Sequence, residues 1–240
     1  MRLSVIIPTL NEARELGETV RLVRSHSDDP AIEIIVADSG STDDTSKIAR
    51  EAGLCVAADA SLSSRAKACN AGAGLATGDT LLFLHADSHV PPRFDAMIRE
   101  ALRDPQVVGG AFEFKLDGPE WRLRFVEIIN RIRYRFRARY YGDQGIFVRR
   151  ATFEAVGGYP DIPIMEDSRF CQKVMAFGLM PLLPAPMLTS PRRFYNGGIL
   201  RTLALDFVIG TLDLLRLRPA WLSERYRREN QERGTDEGPR

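Results

Sequence analysis

Two stretches decide how this chain folds: Leu3-Ser-Val-Ile-Ile-Pro-Thr-Leu-Asn-Glu12, and Ile32-Glu-Ile-Ile-Val-Ala-Asp-Ser-Gly-Ser41. Leu3 to Ile7 is a short run rich in β-branched residues, closed by Pro8. Ile32 to Ala37 is a second, ending at Asp38-Ser39-Gly40-Ser41. Both have the length and composition of buried parallel strands bounded by turn residues. Between them, Asn11 to Arg24 places Leu16, Val20 and Val23 at helical spacing, and Thr42-Asp43-Asp44 opens another helix with acid in its first turn. Val56 to Ala58 reads as a short third strand, Arg65 to Ala76 as a helix, and Thr80 to Leu84 as a buried strand running into His85-Ala86-Asp87. Such alternation predicts an α/β fold: a doubly wound, mostly parallel sheet with helices on both faces.

After Pro91 the pattern changes. A helix over about Pro92 to Arg103 precedes Val107 to Leu116, where Phe112 and Phe114 alternate with Glu113 and Lys115 as in a half-exposed strand. Pro119 stands at a first helical position, and Phe125, Ile129, Ile132 and Phe136 then recur at three and four residues. Arg131, Arg133, Arg135, Arg137 and Arg139 alternate strictly, a pattern that suits a strand equally; we read this segment as a helix. Ile146 to Val148 is read as a strand, and Thr152 to Val156, Asp167 to Phe177 and the amphipathic Ile199 to Leu215 as helices. The division expected is one domain over residues 1–228, with halves 1–118 and 119–228, C-terminal helices in the second, and a polar disordered tail over 229–240.

With 240 residues, 44% of them hydrophobic and 27% charged, the chain can bury a substantial core, which excludes a disordered or disulfide-framed protein. The net charge of +1 hides an asymmetry. Residues 1–120 carry twelve Lys and Arg against nineteen Asp and Glu, and the rest carry twenty-one against thirteen. An acidic first half argues against a general nucleic-acid surface, while a basic second half suits phosphate or an anionic ligand. Cys55, Cys69 and Cys171 form no CxxC pair, so a reducing cytoplasmic setting is expected. The N-terminal apolar run is too short for a leader, and the stretch from Ala176 to Pro191 is broken by four prolines, so no bilayer span is expected.

Asp38 and Asp87 close strands, and in an open α/β sheet ligands lie beyond those carboxyl ends, so the two should share one crevice. Asp43 and Asp44 are read as helix caps. His85 and Asp87 put two donors on one tight turn, a pattern that suits Mg²⁺ or Mn²⁺ shared with a diphosphate. Equally, His85 can be a satisfied core histidine and Asp87 a helix cap. Gly72-Ala-Gly74 follows helical sequence rather than a strand, and reads as helix packing, not a dinucleotide fingerprint. His26 and His89 lack partner motifs and are read as surface residues. No Walker A sequence, GxSxG elbow or HExxH occurs.

In order and spacing, SVIIPTLNE (4–12), VADSGSTDDT (36–45), RAKACNAGAGLATGD (65–79) and LLFLHADSHVPP (81–92) resemble the nucleotide-sugar-binding half of family 2 glycosyltransferases with the GT-A fold. YGDQGIFVRR (141–150), FEAVGGYPDIPIMED (153–167) and SPRRF (190–194) continue the likeness to a small soluble bacterial branch, over roughly residues 3–195. The resemblance implies a metal-dependent inverting transfer from a nucleoside diphosphate sugar, a UDP-sugar first, to an acceptor hydroxyl. It places Pro8, Thr9, Asn11, Glu12, Asp38, Ser39 and Ala86 around the nucleotide, with Arg65, Lys67 and Asn70 completing that pocket. Asp87 stands as the last acid of the family's Asp-x-Asp motif with His85 in place of the first, which makes His85 either a second ligand for Mn²⁺ or Mg²⁺ or an orienting group. Asp167, in Glu166-Asp167, is similar to the catalytic base, which must take the proton of an attacking hydroxyl; a helix cap is its structural alternative. Gln144 and the pair Arg192-Arg193 match acceptor and diphosphate positions, and Phe194 replaces the family's usual Trp as a stacking contact.

Two other readings compete. A nucleotidyltransferase would need a Gly-rich phosphate loop that Pro8 to Glu12 does not supply, and a catalytically inactive nucleotide-sugar binder draws support only from His85. The helix from Ile199 and the Arg-rich segment 131–139 could rest on a membrane surface near a lipid or polysaccharide acceptor, at the inner face of the membrane, or could pack on the sheet with solvated arginines.

Overall fold

The structure, a computed structural model, describes residues 1–58, 61–136 and 140–214. Arg137, Arg139, the end of the 119–228 half and the expected tail over 229–240 lie outside the described residues. In chain order the elements are β1 (Leu3–Thr9), α1 (Leu16–His26), β2 (Glu33–Asp38), α2 (Thr45–Glu51), β3 (Cys55–Ala58), α3 (Arg65–Leu75), β4 (Thr80–Phe83), β5 (Ser88–His89) and α4 (Phe94–Ala101). They continue with β6 (Gly109–Leu116), α5 (Trp121–Phe136), β7 (Ile146–Arg149), α6 (Arg150–Ala155), α7 (Glu166–Val174), β8 (Leu182–Thr189), α8 (Arg192–Gly197) and α9 (Ile199–Leu214).

Strand alternation makes the sheet two-sided. Val5 and Ile7 of β1 point into one core with Leu16, Val20 and Val23 of α1 and Ile98 of α4. Ile6, between them, points the other way, into a core shared with Ala66, Cys69 and Ala73 of α3 and Phe170 and Val174 of α7. Helices therefore cover both faces, as the sequence predicts. The strands run β3-β2-β1-β4-β7-β6-β8-β5. The first four are mutually parallel, and β7 then enters antiparallel between β4 and β6. At Gly72 of α3 an added Cβ would lie 2.5 Å from Ile6 Cγ2, so this glycine serves close helix–sheet packing, whereas a Cβ at Gly74 would meet open space.

Two local readings are corrected, at Pro8 and at His26, and one strand lies where the sequence pattern assigns no element. Pro8 does not close β1, which continues to Thr9: pairing with β4 ends at Ile6–Phe83, so residue 8 is asked for no amide on that side. The proline-rich stretch after Ala176 contains a strand. β8 pairs parallel with β6, its register slips between Phe112 and Glu113 so that Pro184 falls in the irregularity, and β5 covers its outer edge only at Leu188 and Thr189. The segment with alternating arginines is helical through Phe136, in agreement with the sequence reading. His26, read as a surface residue, is half-buried with Nδ1 2.8 Å from the Val90 carbonyl.

Candidate functional site

The carboxyl ends of β1 and β2 lie side by side, with Thr9 in register with Asp38. Asp38 is 2% exposed and accepts from Thr9 Oγ1 at 3.1 Å, from the hydroxyls of Ser41 and Ser46, and from the Ser41 amide. A carboxylate has about four acceptor positions, so β1, the loop after β2 and α2 together saturate it. The two loops are laced together. The Asn11 amide donates to Ser41 Oγ and Asn11 Oδ1 accepts from the Thr42 amide, each at 2.9 Å, with Asn11 in the left-handed region at φ 56°, while the Glu12 amide donates to Thr45 Oγ1. The Ser39 amide is tied back to the Thr9 carbonyl. Asp43 accepts from the amide and hydroxyl of Thr45 at the start of α2, while Asp44, which holds the N-cap position, makes no side-chain capping bond, so only the first of the two acids satisfies the helix start.

From α3, Arg65 reaches into a second group of charges. Its Nε donates to Glu166 Oε1 at 2.7 Å, Nη2 pairs with Glu166 and lies 3.3 Å from Asp167 Oδ2, and Nη1 lies 3.0 Å from His85 Nε2. A guanidinium only donates, so Nε2 accepts and the imidazole proton belongs on Nδ1. Burial, and then the Arg65 charge, push the His85 pKa well below its ordinary value, leaving a neutral ring. That ring rests on Gly142, where an added Cβ would lie 2.1 Å from Nε2.

Glu166 and Asp167 form the first turn of α7, behind Met165 at φ 64°. They do not cap the helix: both are about 95% buried and face Arg65, and Asp167 Oδ2 accepts the Gly142 amide at 3.0 Å. Burial raises the Asp167 carboxyl to about 6, with Glu166 adding to the rise and Arg65 and the Gly142 amide opposing it. Lys67 and Asn70 turn elsewhere. Lys67 Nζ lies 3.5 Å from Asp161, and Asn70 uses both ends of its amide on the backbone of Tyr159.

Two residues beyond His85, Asp87 belongs to a different charge group. Arg192, at the start of α8, lies 3.2 Å from Glu12 Oε2, 3.3 Å from Asp87 Oδ2 and 3.5 Å from Glu15 Oε1. One guanidinium thus serves three carboxylates. Burial and the neighbouring Asp87 push Glu12 up to about 7, while the three acids hold the Arg192 pKa above its ordinary value despite burial. Asp87 does not cap a helix, because α4 begins behind Arg93 in a left-handed conformation. Ala86, between the two groups, is buried and accepts Thr19 Oγ1 through its carbonyl at 2.6 Å.

Gln144, Arg193 and Phe194 are engaged inside the fold. Gln144 is fully buried and clamps its own turn, donating to the Phe112 carbonyl and accepting the Tyr141 amide. Arg193 pairs with Asp206 of α9. The Phe194 ring is 6% exposed and packs with Leu116, Leu123 and Val126, so it is core rather than a stacking platform. Sequence reasoning missed Glu15, Ser41 and Ser46, and did not see that Gly142 seats His85; Ser41 and Gly142 carried a signal, the Asp-Ser-Gly-Ser and Tyr-Gly-Asp-Gln motifs around them.

Among the described residues no group of three His, Cys, Asp or Glu gathers to cage a metal ion. The half-buried Asp87 carboxylate beside Glu12 suits a hard divalent cation of the kind that keeps waters and completes its shell on a ligand's phosphates.

Residues 4–156 match the family model of Glycosyl transferase family 2. A relative, the undecaprenyl-phosphate 4-deoxy-4-formamido-L-arabinose transferase of Sodalis glossinidius, is 30% identical over 163 residues, covering 62% of this chain. The chain spans about half of that relative, 48% of its length. Among solved structures, the mannosyltransferase PcManGT of Pyrobaculum calidifontis, in complex with GDP-Man and Mn²⁺, superposes with a TM-score of 0.68 at 24% identity over 91% of this chain and 65% of its own. S. aureus TarS 1-349 gives 0.60 at 19% identity, over 81% and 62%. At such identities the likeness establishes the fold, a mostly parallel sheet of GT-A type.

Proposed function

The chain belongs to glycosyl transferase family 2, and on that premise we propose that it moves a sugar from a nucleoside diphosphate donor to an acceptor hydroxyl in a single inverting displacement. The observation that carries this reading is Asp167, a buried carboxylate raised to about 6, fixed by the Gly142 amide and beside Arg65. A group in that range can accept the hydroxyl proton as the oxygen attacks the anomeric carbon. Glu166 and His85 hold Arg65, and Arg65 in turn sets the position of Asp167; His85 is thereby a positioning residue rather than a ligand. Pro8, Thr9, Asn11, Glu12 and Ser39 border the nucleotide, and Asp38 accepts the N–H of a uracil edge once the hydroxyl of Ser41 or Ser46 turns aside.

When bound, Mn²⁺ or Mg²⁺ supplies positive charge to the departing diphosphate. Asp87 is the residue that would hold it, and Arg192, adjacent, adds a second positive charge for the same phosphates. The free cysteines fit a reducing, cytoplasmic setting. The relative named above favours a second acceptor, a polyisoprenyl phosphate, whose oxygen attacks without needing a base. A panel of nucleoside diphosphate sugars tested by thermal shift with Mn²⁺ is the direct test, because a ligand bound to the folded state raises the melting temperature. A uridine nucleotide sugar is expected to give the largest rise. No rise with any donor would overturn the reading.

A further inference from the structure

Helices α5 and α9 repeat one arrangement. On α5 the exposed positions Trp121, Phe125, Ile128, Ile129 and Ile132 fall at intervals of four, three, one and three residues. On α9 Leu200, Ala204, Phe207, Val208 and Thr211 fall at the same intervals and are likewise exposed, Trp121, Leu200 and Phe207 each by about three quarters or more. The opposite faces are buried. Leu123 and Val126 of α5 share a small core with Phe194 of α8, and Ile199 and Leu203 of α9 pack against it. Each helix therefore has two apolar faces, one buried and one outward, whereas a surface helix ordinarily keeps its outward face polar.

Charge separates the candidate occupants of this surface. Residues 121–139 include seven arginines and a single acid, Glu127. Arg122 lies beside Trp121, 5.8 Å from its ring centroid, and Arg201 is exposed beside Leu200. An aromatic at the helix start, an aliphatic stripe and a sequence dense in arginine are what an anionic bilayer surface selects. Among the described residues no helix is long and apolar enough to cross a membrane, so the contact lies in the interface plane.

We propose that α5 and α9 together form a docking face for a bilayer carrying anionic headgroups. The buried sides of the same helices support the candidate site. Phe194 lies two residues from Arg192, and Leu205 and Ile209 of α9 pack against Ile164 and Met165, directly before Glu166 and Asp167. Docking would hold the crevice at the headgroup level.

The full-length protein is to be sedimented with vesicles of phosphatidylcholine alone and of phosphatidylcholine with phosphatidylglycerol. Binding is expected to the second only, weakening as salt rises. In a Trp221→Phe background, Trp121 emission is expected to shift to the blue on binding. The double variant Phe125→Ser/Phe207→Ser removes two exposed rings without touching either core, and its partition onto anionic vesicles is expected to fall about tenfold or more. Three results would each overturn the proposal: no sedimentation with anionic vesicles, equal partition of the double variant, or a lipid-free dimer that the double variant abolishes, which would make the surface a protein interface.

Discussion

The His85 ring lies directly over the Gly142 backbone, so that even a methyl group at position 142 would overlap Nε2. Gly142→Ala is therefore expected to push the ring off Arg65 Nη1 and to disturb the amide that holds Asp167. A destabilisation of about 1–3 kcal/mol, the usual range for overpacking, should accompany a loss of turnover larger than the folded fraction explains. Thermal melting beside a steady-state assay checks this, and wild-type values in both would show that the ring is free to move.

Asp167→Asn keeps an oxygen to accept the Gly142 amide but has no proton affinity to offer an attacking hydroxyl. Turnover should fall by about 10²–10⁴-fold, with donor affinity by calorimetry nearly unchanged. Because burial raises the carboxyl to about 6, its basic form is lost as the pH falls through that point, so the wild-type rate should climb with pH across it. The same shift makes the folded state bind this proton more readily than the unfolded chain. Its contribution to stability is present in full below the ordinary value of 3.8 and lost as the pH rises through about 6. A rate profile with no inflection there would remove Asp167 as the base.

Arg192 already balances Glu12, Glu15 and Asp87, so chelation by EDTA is expected to leave the melting temperature of the ligand-free protein unchanged while abolishing any rise caused by a nucleotide sugar. Arg192→Gln leaves the three carboxylates to repel one another. Its melting temperature should drop in EDTA and recover with Mn²⁺ by more than the wild type gains. Recovery no larger than that of the wild type would argue against an ion beside Asp87.

Gly72→Ala tests packing rather than chemistry. The added methyl meets Ile6 in the middle of the sheet, and a loss of about 1–3 kcal/mol is expected. Activity per folded molecule should stay near that of the wild type. Lost donor binding in a folded variant would instead return this glycine-rich stretch to the nucleotide site.

Where periodicity has one meaning, the sequence was readable. Val5, Ile6 and Ile7, against Leu16, Val20 and Val23, are enough to specify a strand inside a two-sided sheet and the helix that covers it. It was less readable where tertiary pairing overrides a local rule. Pro184 and Pro186 argue against a strand in isolation, yet β8 tolerates them because its outer edge is covered only near its end and its register slips at Pro184. The same holds for the site. The strand ends located Asp38 and Asp87, but not that hydroxyls would meet the first and Arg192 the second. Arg65 meets Glu166 across 101 positions, and Arg192 meets Glu12 across 180. No local pattern encodes such distances, and this is why the sequence alone directs Arg65 toward the nucleotide and Phe194 toward the acceptor.

The short helix α8 spans only six residues, with Arg192 among the acids at one end and Phe194 wedged beneath α5 and α9. A segment so short has little slack, and coupling between two sites on one protein is reciprocal by thermodynamic necessity. A ligand that draws the guanidinium off Asp87 must, to whatever extent it moves Phe194, change the free energy of anything resting on the two helices, and a load on those helices returns the same increment to the guanidinium. In such a molecule, surface attachment and donor occupancy become two readings of a single equilibrium.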